Sequence, residues 1–266
     1  MGSVGKVYDG GAAAVDADAI ARFADATDDP NPAYRGPAAV ASPMFHVRPF
    51  RALMGQMAHD PELELDYLRL VHGEHAMNFL RLVRPGDRLE LSGRLVSLED
   101  KPSGRIATFS LTGAVRGEPA CEGTTTYFIR AENPPKSAPK PPPPDPGPPT
   151  FTQAQRVAAD QARRYADASG DDNPIHLDPA TAAAAGLPGP ILHGLCTLSF
   201  AQRDLVDRAG AGDPGWLTSI SARWIKPVRL DTELQMSAWR DGSGWTFATR
   251  DAGGALVLTG RATGRS

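Results

Sequence analysis

At 266 residues, 41% hydrophobic and 22% charged, the chain has room for two domains of ordinary size and the makeup of a globular protein. A net charge of −3 supplies no overall basic field for nucleic acid, and no apolar run is long enough to span a bilayer. Two cysteines, Cys121 and Cys196, in a chain this long point to a reduced, cytoplasmic protein, and the first residues lack the apolar core of a signal peptide.

In chain order, a short strand is expected around Val7 and Tyr8. Gly2 to Lys6 lacks the full spacing and the final Ser or Thr of a phosphate loop. Asp16 is placed to cap a helix over 17–26, with Ile20, Phe23 and Ala24 on one apolar face. Then come Asp28-Asp29-Pro30-Asn31-Pro32, the run Ser42-Pro43-Met44-Phe45-His46, and a helix through 49–59. From 68 to 130, short apolar and β-branched runs alternate with turn signals such as Arg84-Pro85-Gly86-Asp87, which predicts an antiparallel meander. His72 and His75 in this stretch are too few for a metal site and lack the HExxH spacing. Residues 131–150 hold ten prolines in twenty positions, a stiff extended spacer that no core can be built from.

After the spacer the order restarts: a strand over 151–157, a helix over 159–168, a polar turn, and a helix over 194–209. Strands near 217–226, 232–240, 244–250 and 254–262 follow. FADATDDPNPAY (23–34) matches YADASGDDNPIH (165–176) at six of twelve positions, so the chain reads as two copies of one unit.

The polar turn of the second copy carries the chemistry. Ser169-Gly170-Asp171-Asp172-Asn173-Pro174-Ile175-His176 gathers carboxylates, an amide and an imidazole on a stretch that Pro174 keeps from being helical. Gly186-Leu187-Pro188-Gly189-Pro190-Ile191-Leu192 then delivers His193-Gly194 at the start of a buried helix. This two-part pattern resembles the hydratase 2 motif of the (R)-specific enoyl-CoA hydratases and the wider MaoC-like dehydratases. The resemblance implies an α+β chain of two hot-dog domains, each an antiparallel sheet wrapped around a long helix. Their expected bounds are 1–130 and 151–266, with 131–150 between them. The second copy departs from the family at Arg229-Leu230-Asp231, where Pro-Gly-Asp is expected, which puts strand register there in doubt.

Asp171 and His176 are the acid–base candidates for moving water's protons across an enoyl thioester, and the resemblance points to the same pair. A backbone N–H at Gly194, at a helix N-terminus, suits the growing enolate charge, as the family's glycine does. Asn173 either orients the water or makes an Asx turn before Pro174. His193 is an orienting or structural histidine, Asp172 and Asp178 are solvated carboxylates or caps, and Cys196 is a small apolar helix residue rather than a nucleophile. No cofactor and no metal are expected, since Asp171, His176 and His193 fit no familiar zinc spacing. Arg223, Lys226 and Arg229 are candidates for meeting phosphates. The expected partner is an acyl-CoA or acyl-carrier thioester, with no nucleic acid and no membrane, and a homodimer is an open option. The first copy keeps Asp29 but has Tyr34 at the His176 position and Val47 at the Gly194 position. Function is thereby assigned to the C-terminal half. The competing readings are a hot-dog acyl-CoA thioesterase and a non-catalytic acyl-thioester-binding protein.

Overall fold

The computed structural model describes residues 4–66, 69–132 and 146–265. Its first half runs β1 (Val7–Ala14), α1 (Ala17–Ala26), α2 (Val47–Ala58), β2 (Leu70–Phe79), β3 (Arg88–Lys101), β4 (Gly104–Val115) and β5 (Glu118–Arg130). The second half opens with β6 (Phe151–Val157), α3 (Gln161–Ser169), α4 (Pro179–Ala184), β7 (Ile191–Leu192) and α5 (Gly194–Arg208). It closes with β8 (Leu217–Trp224), β9 (Val228–Arg229), β10 (Thr232–Asp241), β11 (Gly244–Asp251) and β12 (Leu256–Gly264).

Local chemistry explains the main boundaries. The Asp16 carboxylate accepts from the Ala19 N–H at 2.7 Å and starts α1, whose Ile20, Phe23 and Ala24 are buried. In β3, Leu89, Leu91 and Leu95 alternate inward with polar residues outward, so one sheet face meets the core. The helix α2 lies on that face through Phe50, Leu53 and Met57, all buried. Gly93 makes the close approach feasible: a Cβ there would stand 2.8 Å from the Met57 sulfur. The second helix of this kind, α5, is buried on most of its circumference, with Leu198, Ala201 and Leu205 beside Ser199 and Gln202.

The meander expectation needs one correction. Strands β3, β4 and β5 do follow one another antiparallel, joined by two-residue turns. However, β2 pairs with β5 rather than with β3, and in the second half β8 pairs with β12. A two-residue turn forces a hairpin, whereas the connection between Phe79 and Arg88 is long enough to carry the chain across the sheet. Turn signals mark where a chain reverses, not which strand it meets.

That return has an architectural result. It leaves β2 and β8 as neighbours, with Glu74 opposite Arg223 and Asn78 opposite Ser219. The two half-sheets therefore join into one ten-stranded antiparallel sheet of order β1-β3-β4-β5-β2-β8-β12-β11-β10-β6. The register in doubt at Arg229-Leu230-Asp231 is regular: β6 pairs with β10 without a break from Thr232 opposite Val157 to Ala238 opposite Phe151. Asp231 adopts φ +55°, taking the left-handed position that Gly86 takes at φ +88° in the first half. Most of the proline spacer, residues 133–145, lies outside the described residues, and its described flanks carry neither helix nor strand.

Candidate active site

Each piece of the turn after α3 has a local cause. Gly170, at φ +78°, ends the helix in the left-handed region. The Ser169 hydroxyl donates to the Tyr165 carbonyl at 2.7 Å and accepts from the Asp171 N–H at 3.1 Å. Asn173 Oδ1 accepts from the Ile175 N–H at 3.2 Å, the Asx turn that precedes Pro174, and a short 3-10 turn then presents His176. The structure thus gives Asn173 a loop-building contact.

The second motif segment arrives from β7 and meets the first. His176 Nδ1–H donates to the Ile191 carbonyl at 2.8 Å, which leaves Nε2 with its lone pair. His193 Nε2–H donates to the Asp171 carbonyl at 2.8 Å, tying the start of α5 to the acidic turn. The two imidazoles stack with ring centres 3.8 Å apart, and one potential ligand atom from each of Asp171, His176 and His193 lies within 4.8 Å of the other two.

Charge states follow from this packing. Burial pushes the Asp171 carboxyl upward, but His193, Arg51 and His176 outweigh it and hold it below the usual carboxylate range. Burial pulls His176 below the ordinary imidazole value, with Asp171 opposing only in part. His193 is pulled down to about 3 by burial and by its histidine neighbour. At neutral pH the site therefore holds one carboxylate beside two neutral imidazoles.

Gly194 is the first residue of α5, and no side chain caps that helix start. The first N–H groups of a helix have no intrahelical acceptor, so they face whatever lies beyond the end. Trp224 Nε1–H donates to the Gly194 carbonyl at 2.9 Å, and a Cβ at this position would stand 2.8 Å from that nitrogen. Glycine is required here because of the indole. The other candidates sort out simply. Asp178 caps α4 through the Thr181 N–H at 2.7 Å, and Asp172 is mostly exposed. Cys196 is fully buried and its thiol is pushed well above the ordinary value by burial, which leaves it un-ionised. Arg223, paired with Glu74 at 3.6 Å, lies exposed with Lys226 and Arg229.

Three neighbours were not legible as site residues. Arg51 reaches from α2 to within 3.2 Å of the Asp171 carboxylate. Trp224 sits on Gly194, and His72, from β2, packs its ring 5.1 Å from the Trp224 ring. None has a local motif, because packing between segments distant in the chain brings them in.

The matching position in the first half is differently built. Tyr34 is fully buried beside Gln202, and His46 turns Nδ1–H to the Pro43 carbonyl and Nε2 to His75. Asp29 is 3% exposed, and burial pushes its carboxyl up to about 6. Asp29 thus binds its proton more tightly folded than unfolded. The associated stabilisation is complete below about pH 4 and is lost as the pH rises through about 6, roughly 2–3 kcal/mol in all. Asp29→Asn, which keeps the Oδ1 acceptor for the Asn31 N–H, should melt higher than the parent at pH 8 but not at pH 4. An equal melting difference at both pH values would contradict this.

Known proteins resemble both halves of the chain. Residues 143–259 match the MaoC like domain, and residues 3–122 match the FAS1-like dehydratase domain region. A "3-hydroxyacyl-thioester dehydratase Y" of Mycobacterium tuberculosis is 34% identical over 194 residues, covering 69% of this chain and 67% of that protein. A "Probable enoyl-CoA hydratase 2" of Dictyostelium discoideum is 29% identical, covering 67% and 63%. The chain spans between 27% and 63% of the length of the first curated relatives it matches. Among solved structures, a MaoC-like dehydratase from Phytophthora capsici superposes with a TM-score of 0.83 at 21% identity, over 98% of this chain and 96% of that one. A Mycobacterium tuberculosis protein described as a double hotdog fold gives 0.65 at 15% identity, over 98% and 96%. These neighbours share the fold of this chain, which the second describes as a double hot-dog. With that architecture around a shared sequence that covers two thirds of the mycobacterial dehydratase, the chain belongs to the MaoC-like dehydratase family.

Proposed function

We propose that the chain adds water to trans-2-enoyl thioesters, giving (3R)-3-hydroxyacyl thioesters, and runs the dehydration in reverse. The observation that carries this is the ionised Asp171 carboxylate in one cluster with the His176 imidazole, whose Nε2 keeps its lone pair. Both are acceptors, so a single water can donate one hydrogen to each. In hydration the water oxygen bonds to C3, the proton it loses passes to the pair, and the pair returns a proton to C2. The thioester oxygen, which gains enolate charge meanwhile, faces the Gly194 N–H at the start of α5. His193 holds the Asp171 turn by its backbone, and Asn173 shapes that turn.

Loss of the ultraviolet band of the conjugated enoyl thioester, followed with crotonyl-CoA and longer enoyl-CoAs, tests the assignment. Release of free thiol without hydration would show a thioesterase instead. One site per chain is expected, because Tyr34 and Val47 stand where His176 and Gly194 stand in the second half. Asp29→Ala should leave turnover within a few-fold of the parent, and calorimetry with a non-reactive substrate analogue should give one site per chain. Two equivalent sites, or a large catalytic loss in a folded Asp29 variant, would refute the single-site reading.

A further inference from the structure

We propose that Arg51, supplied by the N-terminal half, is a positioning residue of the C-terminal site, holding the Asp171 carboxylate and its turn against the two imidazoles. This rests on the hydratase reading for its kinetic consequence, not for its geometry. Two arginines one helical turn apart on α2 reach over the α3 turn. Arg48 Nη1–H donates to the Ala168 carbonyl at 2.6 Å, at the C-terminal end of α3 where free carbonyls gather. Arg51 Nε lies 3.2 Å from Asp171 Oδ1, and its Nη2 lies 3.6 Å from Asp172.

Gly55 leaves room for the end of the Arg51 side chain, and Gly170 lies in ordinary contact with its stem. A Cβ at Gly55, one turn further along α2, would stand 3.1 Å from Arg51 Nη1. At Gly170 the nearest neighbour of such a Cβ is Arg51 Cγ, at 3.8 Å. The guanidinium is three-quarters buried, and its Nε, although closest to Asp171, makes no aligned hydrogen bond. Its effect on Asp171 is therefore chiefly that of a nearby positive charge.

The other groups around Asp171 carry no positive charge at neutral pH. His176, His193 and His72 are all held neutral by burial, Tyr165 is an un-ionised phenol, and Asp172 carries the same sign as Asp171. Arg51 is the cation in contact with the carboxylate among the described residues. Without it, one of the groups that hold the carboxyl down is lost and burial favours the protonated acid, which cannot accept a proton from water. The half of the chain that has lost the motif thus supplies the counter-charge for the half that keeps it.

The test uses the full chain with Arg51→Gln and Arg51→Lys. Crotonyl-CoA hydration is measured against pH, and the Asp171 carboxyl is titrated by carbon NMR with Asp171→Asn for assignment. Arg51→Gln should lower kcat at pH 7 by roughly ten- to a hundredfold and move the acid limb of kcat/KM to higher pH. Arg51→Lys, which keeps the charge, should keep the parent's acid limb. Activity within about twofold of the parent with an unmoved limb, or a loss with an unmoved limb, would overturn the proposal. If the parent hydrates no enoyl-CoA, the functional reading fails, and the NMR titration decides alone. A midpoint raised in Arg51→Gln supports the role of Arg51, and an unmoved one overturns it. If Arg51→Gln does not fold, Arg51→Lys decides: a displaced acid limb in that variant would overturn the proposal.

Discussion

Asp171→Asn and His176→Ala should each lower enoyl-CoA hydration by about 10²–10⁴-fold, the range for losing an acid–base group. The asparagine keeps the shape of Asp171 and leaves its backbone contacts to Ser169 and His193 in place, but it removes the charge that accepts a proton. His176→Ala removes the Nε2 acceptor and also leaves the Ile191 carbonyl without its donor. A stability cost of about 1 kcal/mol is expected for that lost bond, too little to unfold the chain. Turnover and thermal melting measured on the same preparations separate the two effects. Near-parent turnover in either variant would remove that residue from the mechanism, and unfolding of both would make them structural. Because Asp171 and His176 are both held below their ordinary values, the acid limb of the hydration rate should lie at lower pH than a free imidazole would set. An acid limb at or above the free imidazole value would contradict the charge states inferred for the pair.

Gly194→Ala should cost about 10²–10³-fold in kcat, the scale for losing an oxyanion donor, although alanine keeps its N–H. The cause is displacement. The added Cβ would stand 2.8 Å from Trp224 Nε1 and 3.0 Å from its Cε2, so the start of α5 or the indole must move. The indole is itself bonded to the Gly194 carbonyl and packed against His72, which leaves the helix start to give way. Overpacking of this kind also destabilises by about 1–3 kcal/mol. Trp224→Phe withdraws the indole nitrogen, so the double variant should regain part of the lost turnover and of the lost stability. Parent-like turnover in Gly194→Ala alone would show that the reaction does not depend on where this N–H points. The first half fits the same account: Val47 is accommodated there, and the position 145 residues before Trp224 is Phe79.

What could be read from the sequence was what the chain encodes locally. Asp16, Gly170, Asn173 with Pro174, and the glycines and prolines before His193 each specify their own turn or cap, and the structure places them so. Helices α1, α2, α3 and α5 and the later strands of the second half were legible for the same reason, whereas α4, a short alanine-rich helix without an apolar stripe, was not. The pairing of β2 with β5, and the approach of Arg51, His72 and Trp224 to the motif, depend on contacts between distant segments. Arg51 sits on an amphipathic helix like any solvated arginine, and only the crossing of α2 over the α3 turn gives it a partner. Gly194 was legible as a required glycine, but the residue that requires it is thirty positions away on a strand.

The seam between β2 and β8 also bears on how the chain assembles. It pairs residues about 150 positions apart, such as Glu74 with Arg223, while within each half two of the strand pairs are joined by short turns. Closing that distance is an entropic cost met late, so each half-sheet can form before the two meet. Until then β2 and β8 are open edges, each with unpaired N–H and C=O groups that would accept any matching strand. Tethering makes the correct partner present at about millimolar effective concentration, far above the level of other chains in dilute solution. In concentrated solution that advantage shrinks, and β2 of one chain meeting β8 of another gives a swapped dimer built from the same contacts.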